Sequence, residues 1–346
     1  MLYGLSLLAG IVLLFGGGEA LIRGAVAGAK RMGVSPLLTG LVVVGFGTSA
    51  PELVVSIDAA IREQPDIAVG NIVGSNIGNI LLILGLCAAI CPMTVQPLAL
   101  RRDGVVVVGA SVLFIVLAWS GELARWEAAL LLLALAAYLV WAYRTERQQP
   151  LPEGEMHAAE AEEVTAIPTS TVMISVALVV GLGMLIGGSQ LLLYGAIGLA
   201  QAMGISEAVI GLTIVAVGTS LPEMAVSVIA ALRRHADVAV GNILGSNIFN
   251  VLGILGISAC LQPLPIAERV SQFDQWVMLG SAALLLLFLY TGMRLSRWEG
   301  AALLGGYAAY IALSFTIFLT HMGRQLHTRF FVVASRAWVK RGSSGG

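Results

Sequence analysis

The segment at 47–56 reads GTSAPELVVS, and the segment at 66–79 reads DIAVGNIVGSNIGN. Both recur in the second half of the chain with the same offset, as GTSLPEMAVS at 218–227 and DVAVGNILGSNIFN at 237–250. When 45–85 is aligned with 216–256, 25 of the 41 positions are identical. A repeat this long predicts two equivalent structural units, each built around the same pair of segments.

The sequence around these segments is strongly apolar. Of its 346 residues, 58% are hydrophobic and only 11% are charged, which excludes an ordinary soluble domain. The 19 Lys and Arg nearly balance the 20 Asp and Glu, so the net charge of −1 gives no indication of a nucleic-acid partner. We therefore predict an all-α membrane protein surrounded by a lipid bilayer.

Hydropathy and its interruptions predict ten transmembrane helices, because a span needs about 20 mainly apolar residues. The first repeat, 1–143, holds the predicted spans 2–29, 37–61, 67–91, 104–120 and 126–143. The second repeat, 172–319, holds the predicted spans 172–201, 208–232, 238–260, 275–292 and 299–319. An acidic linker at 144–171 separates them, and a tail at 320–346 ends in GSSGG, which resembles an artificial linker.

The loops indicate how the chain crosses the membrane. Five spans are an odd number, so the second repeat must be inverted relative to the first. With the N-terminus outside, the inner loops carry ten Lys and Arg residues, and the outer loops carry only Arg62, Arg125 and Arg269. Because short cytoplasmic loops carry the positive excess, we predict that both termini are outside and that the linker is cytoplasmic. The basic tail after His321 runs against this orientation.

Two glutamates lie well inside apolar segments at equivalent places in the two repeats, Glu52 and Glu223. A buried carboxylate costs at least a few kcal/mol, so its presence twice indicates a function. Each glutamate shares its helix face with hydroxyl groups three or four residues away. These are Thr48, Ser49 and Ser56 in the first repeat, and Thr219, Ser220 and Ser227 in the second.

The backbone before each glutamate is expected to be irregular. Pro51 and Pro222 have no amide hydrogen, so the carbonyls of Gly47 and Gly218 lose their usual helical partners. In lipid, such carbonyls are tolerated where they line a cavity or contact a cation. A second polar face follows in each repeat at a spacing of four residues, formed by Asn71, Ser75 and Asn79, and by Asn242, Ser246 and Asn250.

This set of oxygen ligands suits a hard cation. Ca²⁺ fits best because it accepts about 6–8 oxygens in flexible geometry, and Mg²⁺ fits less well because its geometry is stricter. Na⁺ can use the same oxygens, so competition for shared carboxylates would be a direct mechanism of exchange. The four histidines lie in predicted loops or the tail, which argues against a zinc site: His157, His235, His321 and His327.

The paired blocks GTSAPE…GNIVGSNIGN and GTSLPE…GNILGSNIFN resemble the two alpha-repeats of the sodium/calcium exchanger family, in its bacterial or archaeal type, within the cation/calcium exchanger superfamily. The resemblance implies ten transmembrane helices in two inverted five-helix repeats. It implies a plasma-membrane antiporter, not an enzyme, that exports Ca²⁺ by letting Na⁺ in through alternating access. It implies no cofactor and no obligatory protein partner besides the transported ions.

The resemblance also implies roles for individual residues. A central Ca²⁺ site would be formed by Glu52, Glu223, Thr48 and Thr219, and completed by Asn79 and Asn250. Two flanking Na⁺ sites would each come from one repeat, the first from Gly45, Thr48, Ser49, Glu52 and Ser75, and the second from Ala216, Thr219, Ser220, Glu223 and Ser246. Gly45 and Ala216 would contribute backbone carbonyls. Many relatives carry Asp at the position of Asn250, so ion preference and stoichiometry stay open, and potassium dependence is disfavoured.

Three alternatives stay open at this point. A proton-coupled calcium or divalent-cation antiporter on the same fold would need the glutamates to titrate during its cycle. An intramembrane hydrolase would use Ser49 or Ser220 as nucleophile, but the apolar segments offer no His or Lys as a base. A scaffold without transport would tolerate Leu at both glutamates. The glycines at 16–18 and 187–188 fit either close packing or a sliding movement of the first and sixth spans.

Overall fold

A computed structural model describes residues 2–32, 45–94, 97–148, 170–232, 236–291 and 294–314. These ranges are mostly helical, with short turns and two-residue strands between the helices. The helices of the first half are α1 (Leu2–Arg31), α2 (Ala50–Ile61), α3 (Pro65–Gly78), α4 (Pro97–Leu117) and α5 (Arg125–Gln148). Those of the second half are α6 (Thr171–Met203), α7 (Glu207–Ile210), α8 (Leu221–Leu232), α9 (Ala236–Ile248), α10 (Gln275–Thr291) and α11 (297–314).

Shorter helical segments extend several of these helices. A helical turn at Gly45–Gly47 precedes α2, and a 3₁₀ turn at Ala118–Ser120 follows α4. The π-helical segments Asn79–Leu84, Gly211–Val215 and Phe249–Ile254 follow α3, α7 and α9, and each continues into α-helix, at Gly85–Ile90, Ala216–Thr219 and Leu255–Leu261. Another π segment, Val270–Asp274, precedes α10. Such segments are frequent at functional sites, and two of them here begin at or beside the predicted ligands Asn79 and Asn250.

The described helices confirm a multi-pass membrane protein. Seven helical stretches are long and apolar enough to cross a membrane, or eight if Gly211–Thr219 and Leu221–Leu232 form one bent span. Ten helices in two repeats stays a prediction, because 33–44 and 315–319 lie outside the described residues and fall in or beside the spans predicted at 37–61 and 299–319. Residues 149–169 of the linker and the predicted tail, 320–346, also lie outside them, and α5 continues to Gln148, past the predicted end at 143.

The irregular backbone predicted before each glutamate is confirmed. The axes of Gly211–Thr219 and Leu221–Leu232 differ by 56° across Ser220. In the first half, Pro51 lies in the first turn of α2, where a missing amide hydrogen removes no helical hydrogen bond. Each proline therefore falls at the start of a new helix, and the glutamate that follows it lies in the first turn.

The interior of the protein is formed by α3 and α9 with their extensions. Over their most apolar windows, Pro65–Ile90 and Ala239–Leu261 are each 83% buried, whereas the other five candidate spans are 22–50% buried. The asparagines and serines of the second polar face lie on these two helices. They are therefore held away from lipid, where polar side chains need partners inside the protein.

The helices α1 and α6 pack along each other through glycines. A Cβ added at Gly17 would lie 2.8 Å from the carbonyl oxygen of Gly181, and one added at Gly188 would lie 2.9 Å from the amide nitrogen of Leu14. Only glycine lets two backbones approach this closely. A Cβ added at Gly187 would meet no described atom within 4 Å, so the neighbouring glycines 187 and 188 differ in their role.

Two short antiparallel strand pairs connect the halves. β1 (Met93–Thr94) pairs with β4 (Arg294–Leu295), and β2 (Glu122–Leu123) pairs with β3 (Leu264–Pro265). The alignment of the two repeats places β1 on β3, and the same alignment slipped by a single position places β2 on β4. Each pair therefore joins the loop before the fourth helix of one half to the loop after the fourth helix of the other.

Candidate cation site

The two glutamates are fully buried in the first turns of α2 and α8. Glu52 and Glu223 are each 0% exposed. The proline before each of them lies in the first turn of its helix, and the free amide hydrogens of a first helical turn favour a nearby negative charge. The local sequence thus explains how a carboxylate is placed inside an apolar protein at both positions.

Each carboxylate is held by a serine from the other half. Ser220 donates its hydroxyl hydrogen to Oε1 of Glu52 at 2.8 Å, and Ser49 donates to Oε1 of Glu223 at 2.8 Å. These residues are separated by 168 and 174 positions in the sequence, so the bonds form only when the halves pack together. The predicted ligands Glu52, Glu223, Ser49 and Ser220 are therefore brought into direct contact.

Four buried acceptor atoms in this region receive no hydrogen bond from the described residues. They are Oε2 of Glu52, Oε2 of Glu223, Oδ1 of Asn79 and Oδ1 of Asn250. A buried acceptor without a donor is costly, and buried polar groups in proteins are nearly always satisfied. Two carboxylate oxygens and two amide oxygens are ligands that Na⁺ and Ca²⁺ accept. The donor set therefore fits a hard cation.

Other predicted ligands form bonds that cross between the halves. Ser75 donates to the backbone carbonyl of Ala216 at 3.4 Å. The hydroxyl oxygens of Thr48 and Ser246 lie 3.4 Å apart. These contacts, like those of the serines with the glutamates, join residues of different repeats. The Na⁺ sites that the resemblance implies, each drawn from one repeat, stay a prediction. The side chain of Thr48 also donates to Oδ1 of Asn242 at 3.4 Å.

The amides of Asn71 and Asn242 brace the glutamate helices. Asn71 donates to Oγ of Ser56 at 3.0 Å and to the carbonyl of Glu52 at 3.4 Å. Asn242 donates to Oγ of Ser227 at 3.1 Å and to the carbonyl of Glu223 at 3.5 Å. In addition, Thr219 donates to Oδ1 of Asn71 at 3.0 Å. These bonds fix α2 on α3 and α8 on α9, and thereby fix the position of both carboxylates.

Two asparagines of the site were missed by the sequence reasoning. Asn76 and Asn247 are 1% and 0% exposed and contact each other's backbone across the halves. The polar face drawn at a spacing of four residues passes through Ser75 and Asn79 but leaves out Asn76. The signal that could have found both asparagines was the repeat itself, because they occupy equivalent positions when the two repeats are aligned.

The surroundings of the site differ between the halves. The rings of Phe46 and Phe249 stack with centroids 4.1 Å apart and an angle of 11° between their planes. In the aligned repeats, their equivalents are Val217 and Gly78. These two smaller residues line a small cavity together with Ser220. An otherwise symmetric arrangement is thus filled by aromatic rings on one side and left open on the other.

The described residues contain no group of three or more His, Cys, Asp or Glu side chains placed to hold a metal ion. The candidate site is instead a pair of carboxylates supplemented by hydroxyl, amide and carbonyl oxygens. This composition differs from that of zinc and other transition-metal sites, which use His and Cys ligands.

Comparisons with known proteins agree with this chemistry. A family model described as sodium/calcium exchanger protein matches residues 2–144 and 173–316. A putative antiporter, CaxA of Alkalimonas amylolytica, is 38% identical over 312 residues, which are 89% of this chain and 97% of that protein. The sodium/calcium exchanger MaX1 of Methanosarcina acetivorans is 35% identical over 344 residues, with 90% and 98% covered. A solved structure of the sodium-calcium exchanger NCX_Mj has a TM-score of 0.62 and 32% identity, with 90% and 98% covered.

Proposed function

This chain belongs to the sodium/calcium exchanger family, and from that premise we propose that it exports Ca²⁺ in exchange for Na⁺ by alternating access. The observation that carries the proposal is the set of four buried acceptors without donors, on Glu52, Glu223, Asn79 and Asn250. Two carboxylates balance the charge of one Ca²⁺, and the same carboxylate oxygens can hold Na⁺ instead. Occupancy by one kind of ion therefore excludes the other, which couples their movements.

The central ion is assigned to these four side chains, with Thr48 and Thr219 as further oxygen donors. We assign the flanking Na⁺ ions to sets that cross the repeats, because the hydrogen bonds do. One set contains Glu52, Ser75, Ala216, Thr219 and Ser220, and the other contains Glu223, Gly45, Thr48, Ser49 and Ser246. In each set a carboxylate and a serine hydroxyl of one repeat are completed by two hydroxyl groups and a backbone carbonyl of the other.

Inverted repeats are supported by the strand pairs. If both repeats had the same orientation, the loop before the fourth helix would lie on the same side of the membrane in each, and β1 could meet β3. Instead β1 pairs with β4 and β2 with β3, which is the pairing expected when equivalent loops lie on opposite sides. Together with the loop charges, this favours an orientation with both termini outside and a cytoplasmic linker, and we propose the plasma membrane as the location.

Alternating access would move α1 and α6 as one body against the helices that carry the glutamates. The glycine contacts between Gly17 and Gly181 hold the two helices together. Near the site, apolar side chains of α1 contact the backbone before each glutamate, with Ile22 against Gly47 and Ile11 against Gly218. Farther along α2, Ser189 of α6 donates to Oδ2 of Asp58 at 2.9 Å. An unfilled pair of negative charges is costly to enclose in lipid, so ion binding would permit the movement.

The test of this function is Ca²⁺ uptake into sealed vesicles that contain the purified protein. We expect uptake when an outward Na⁺ gradient is imposed and none without a gradient. A proton-coupled divalent-cation antiporter on the same fold would instead take up Ca²⁺ under a pH gradient in the absence of Na⁺. That result, or the absence of uptake under both gradients, would contradict the proposal.

Removing one serine hydroxyl is expected to weaken exchange without unfolding the protein. Ser220→Ala deletes an oxygen ligand and leaves Oε1 of Glu52 without its donor, and Ser49→Ala does the same to Glu223. We expect Na⁺-driven Ca²⁺ flux to fall about tenfold in either variant. Ser111→Ala is the matched control, because the Ser111 hydroxyl is also buried but donates only to Val107 in its own helix. Equal flux in all three variants would contradict the assignment.

A further inference from the structure

Four buried asparagines connect the two halves beside the glutamates. Asn79 donates to Oδ1 of Asn247 at 2.9 Å, and Asn250 donates to Oδ1 of Asn76 at 3.0 Å. Asn76 in turn donates to the backbone carbonyl of Asn247 at 3.2 Å, and Asn247 donates to the backbone carbonyl of Asn76 at 3.3 Å. All four side chains are at most 1% exposed, so bulk water does not compete for these bonds.

The backbone determines which way each of these amides faces. A backbone carbonyl can only accept a hydrogen bond, so the side-chain amide of Asn76 must turn its nitrogen toward the carbonyl of Asn247. The oxygen of Asn76 then points the other way and can only accept, which requires the nitrogen of Asn250 to face it. The oxygen of Asn250 is left directed away from the pair. The equivalent bonds of the other half fix the oxygen of Asn79 through Asn247 in the same way.

The two oxygens fixed in this way, on Asn79 and Asn250, accept no bond from the described residues. Their segments pack against the helices that carry the glutamates, Asn79–Leu84 against α8 and Phe249–Ile254 against α2. The unbonded amide oxygens therefore belong to the same region as the unbonded carboxylate oxygens of Glu52 and Glu223. If either amide were reversed, it would present hydrogen-bond donors in place of an oxygen ligand, and a cation would be repelled.

We propose that Asn76 and Asn247 are positioning residues, which keep the amide oxygens of Asn250 and Asn79 directed at the transported cation. The inference rests on the proposed function, because it names how that site is oriented. Neither Asn76 nor Asn247 touches the ion. Each donates to a backbone carbonyl of the opposite half, and this bond fixes which way its own amide oxygen faces. That oxygen in turn orients the ligand asparagine, so the site is oriented only when the halves are assembled.

A double-mutant cycle tests this proposal. The variants are Asn76→Ala, Asn250→Ala and the two combined, and the readouts are the Ca²⁺ and Na⁺ concentrations that give half-maximal exchange in vesicles. We expect each single change to raise the half-maximal Ca²⁺ concentration about tenfold. The combined variant should show no further rise, because Asn76 acts only through Asn250. The half-maximal Na⁺ concentration should change less, because the flanking sets contain neither residue.

A purely structural role of Asn76 would give a different pattern. The two effects would then multiply to about a hundredfold, and the Ca²⁺ and Na⁺ values would rise together, which would overturn the proposal. The same cycle with Asn247→Ala and Asn79→Ala provides an independent copy in the other half. If Asn76→Ala is not recovered as a folded protein, Asn76→Ser replaces it, since the hydroxyl is too short to bridge to both partners. A wild-type protein that exchanges no Ca²⁺ refutes the proposed function itself, whereas an additive cycle in an active protein refutes only the positioning role.

Discussion

Replacing Glu52 or Glu223 with Gln is expected to abolish Ca²⁺ exchange while the protein still folds and inserts into the membrane. Gln has the shape of Glu, and it can keep a hydrogen bond with Ser220 or Ser49. The change removes one of two charges that balance a divalent cation in a buried site. Removing one partner of a buried ionic contact costs about 3–5 kcal/mol, so we expect flux to fall by about 100-fold or more.

The matched control is Glu127→Gln. Glu127 is also buried, at 6% exposed, but its Oε2 accepts the backbone amide of Ala124 at 2.7 Å and caps α5. Gln can fill the same capping role, so exchange by this variant should match that of the unmodified protein. Flux is measured in vesicles that contain equal amounts of each protein, and folding by size-exclusion chromatography in detergent. Exchange at the normal rate by Glu52→Gln or Glu223→Gln would refute the site.

The sequence was sufficient to locate the glutamates, because a charged residue in an apolar segment stands out wherever the chain folds. It was also sufficient for the breaks at Pro51 and Pro222, since a missing amide hydrogen is a local property. The partners of the glutamates could not be found in this way. Ser49 donates to Glu223, although Glu52 is its near neighbour in the sequence, and a hydrogen bond between residues 174 positions apart depends on how the halves pack.

The asparagines show the same limit from another direction. On a helix, residues four apart share a face and adjacent residues differ by about 100°. The spacing of four therefore identified Asn79 but excluded Asn76, which follows Ser75 directly. The structure places Asn76 on the contact with the other half, and this second face has its own polar role. A helix at the centre of a symmetric pair can carry polar side chains on two faces, and a single periodicity recovers one of them.

The glycines required the structure for a different reason. Gly187 and Gly188 are adjacent and chemically identical, so composition cannot rank them. Only the position of the neighbouring backbone shows that Gly188 is in close contact with α1 whereas Gly187 is not. The sequence left packing and sliding open for these glycines. The observed contacts establish packing between α1 and α6, and they make sliding of either helix alone difficult.

Replacing Gly188 with Val is expected to disrupt this helix pair. A Cβ at this position would lie 2.9 Å from the amide nitrogen of Leu14 and 3.0 Å from the carbonyl oxygen of Gly10, so the backbones must separate. In lipid no hydrophobic effect drives the helices back together, since lipid tails are as apolar as the side chains. We expect a loss of about 1–3 kcal/mol in the free energy of unfolding and the loss of most exchange activity.

Gly187→Val provides the comparison one residue away. It adds the same side chain to the same helix, but at a position where the added Cβ meets no described atom within 4 Å. We expect its free energy of unfolding in detergent to change by no more than about 0.5 kcal/mol, and its Ca²⁺ flux to be retained. If both variants are equally stable and equally active, then the pairing of α1 and α6 does not depend on this contact, and the proposal that they move as one body is wrong. If Gly188→Val is destabilised and Gly187→Val is not, the close approach of the two backbones is what holds the pair together during transport.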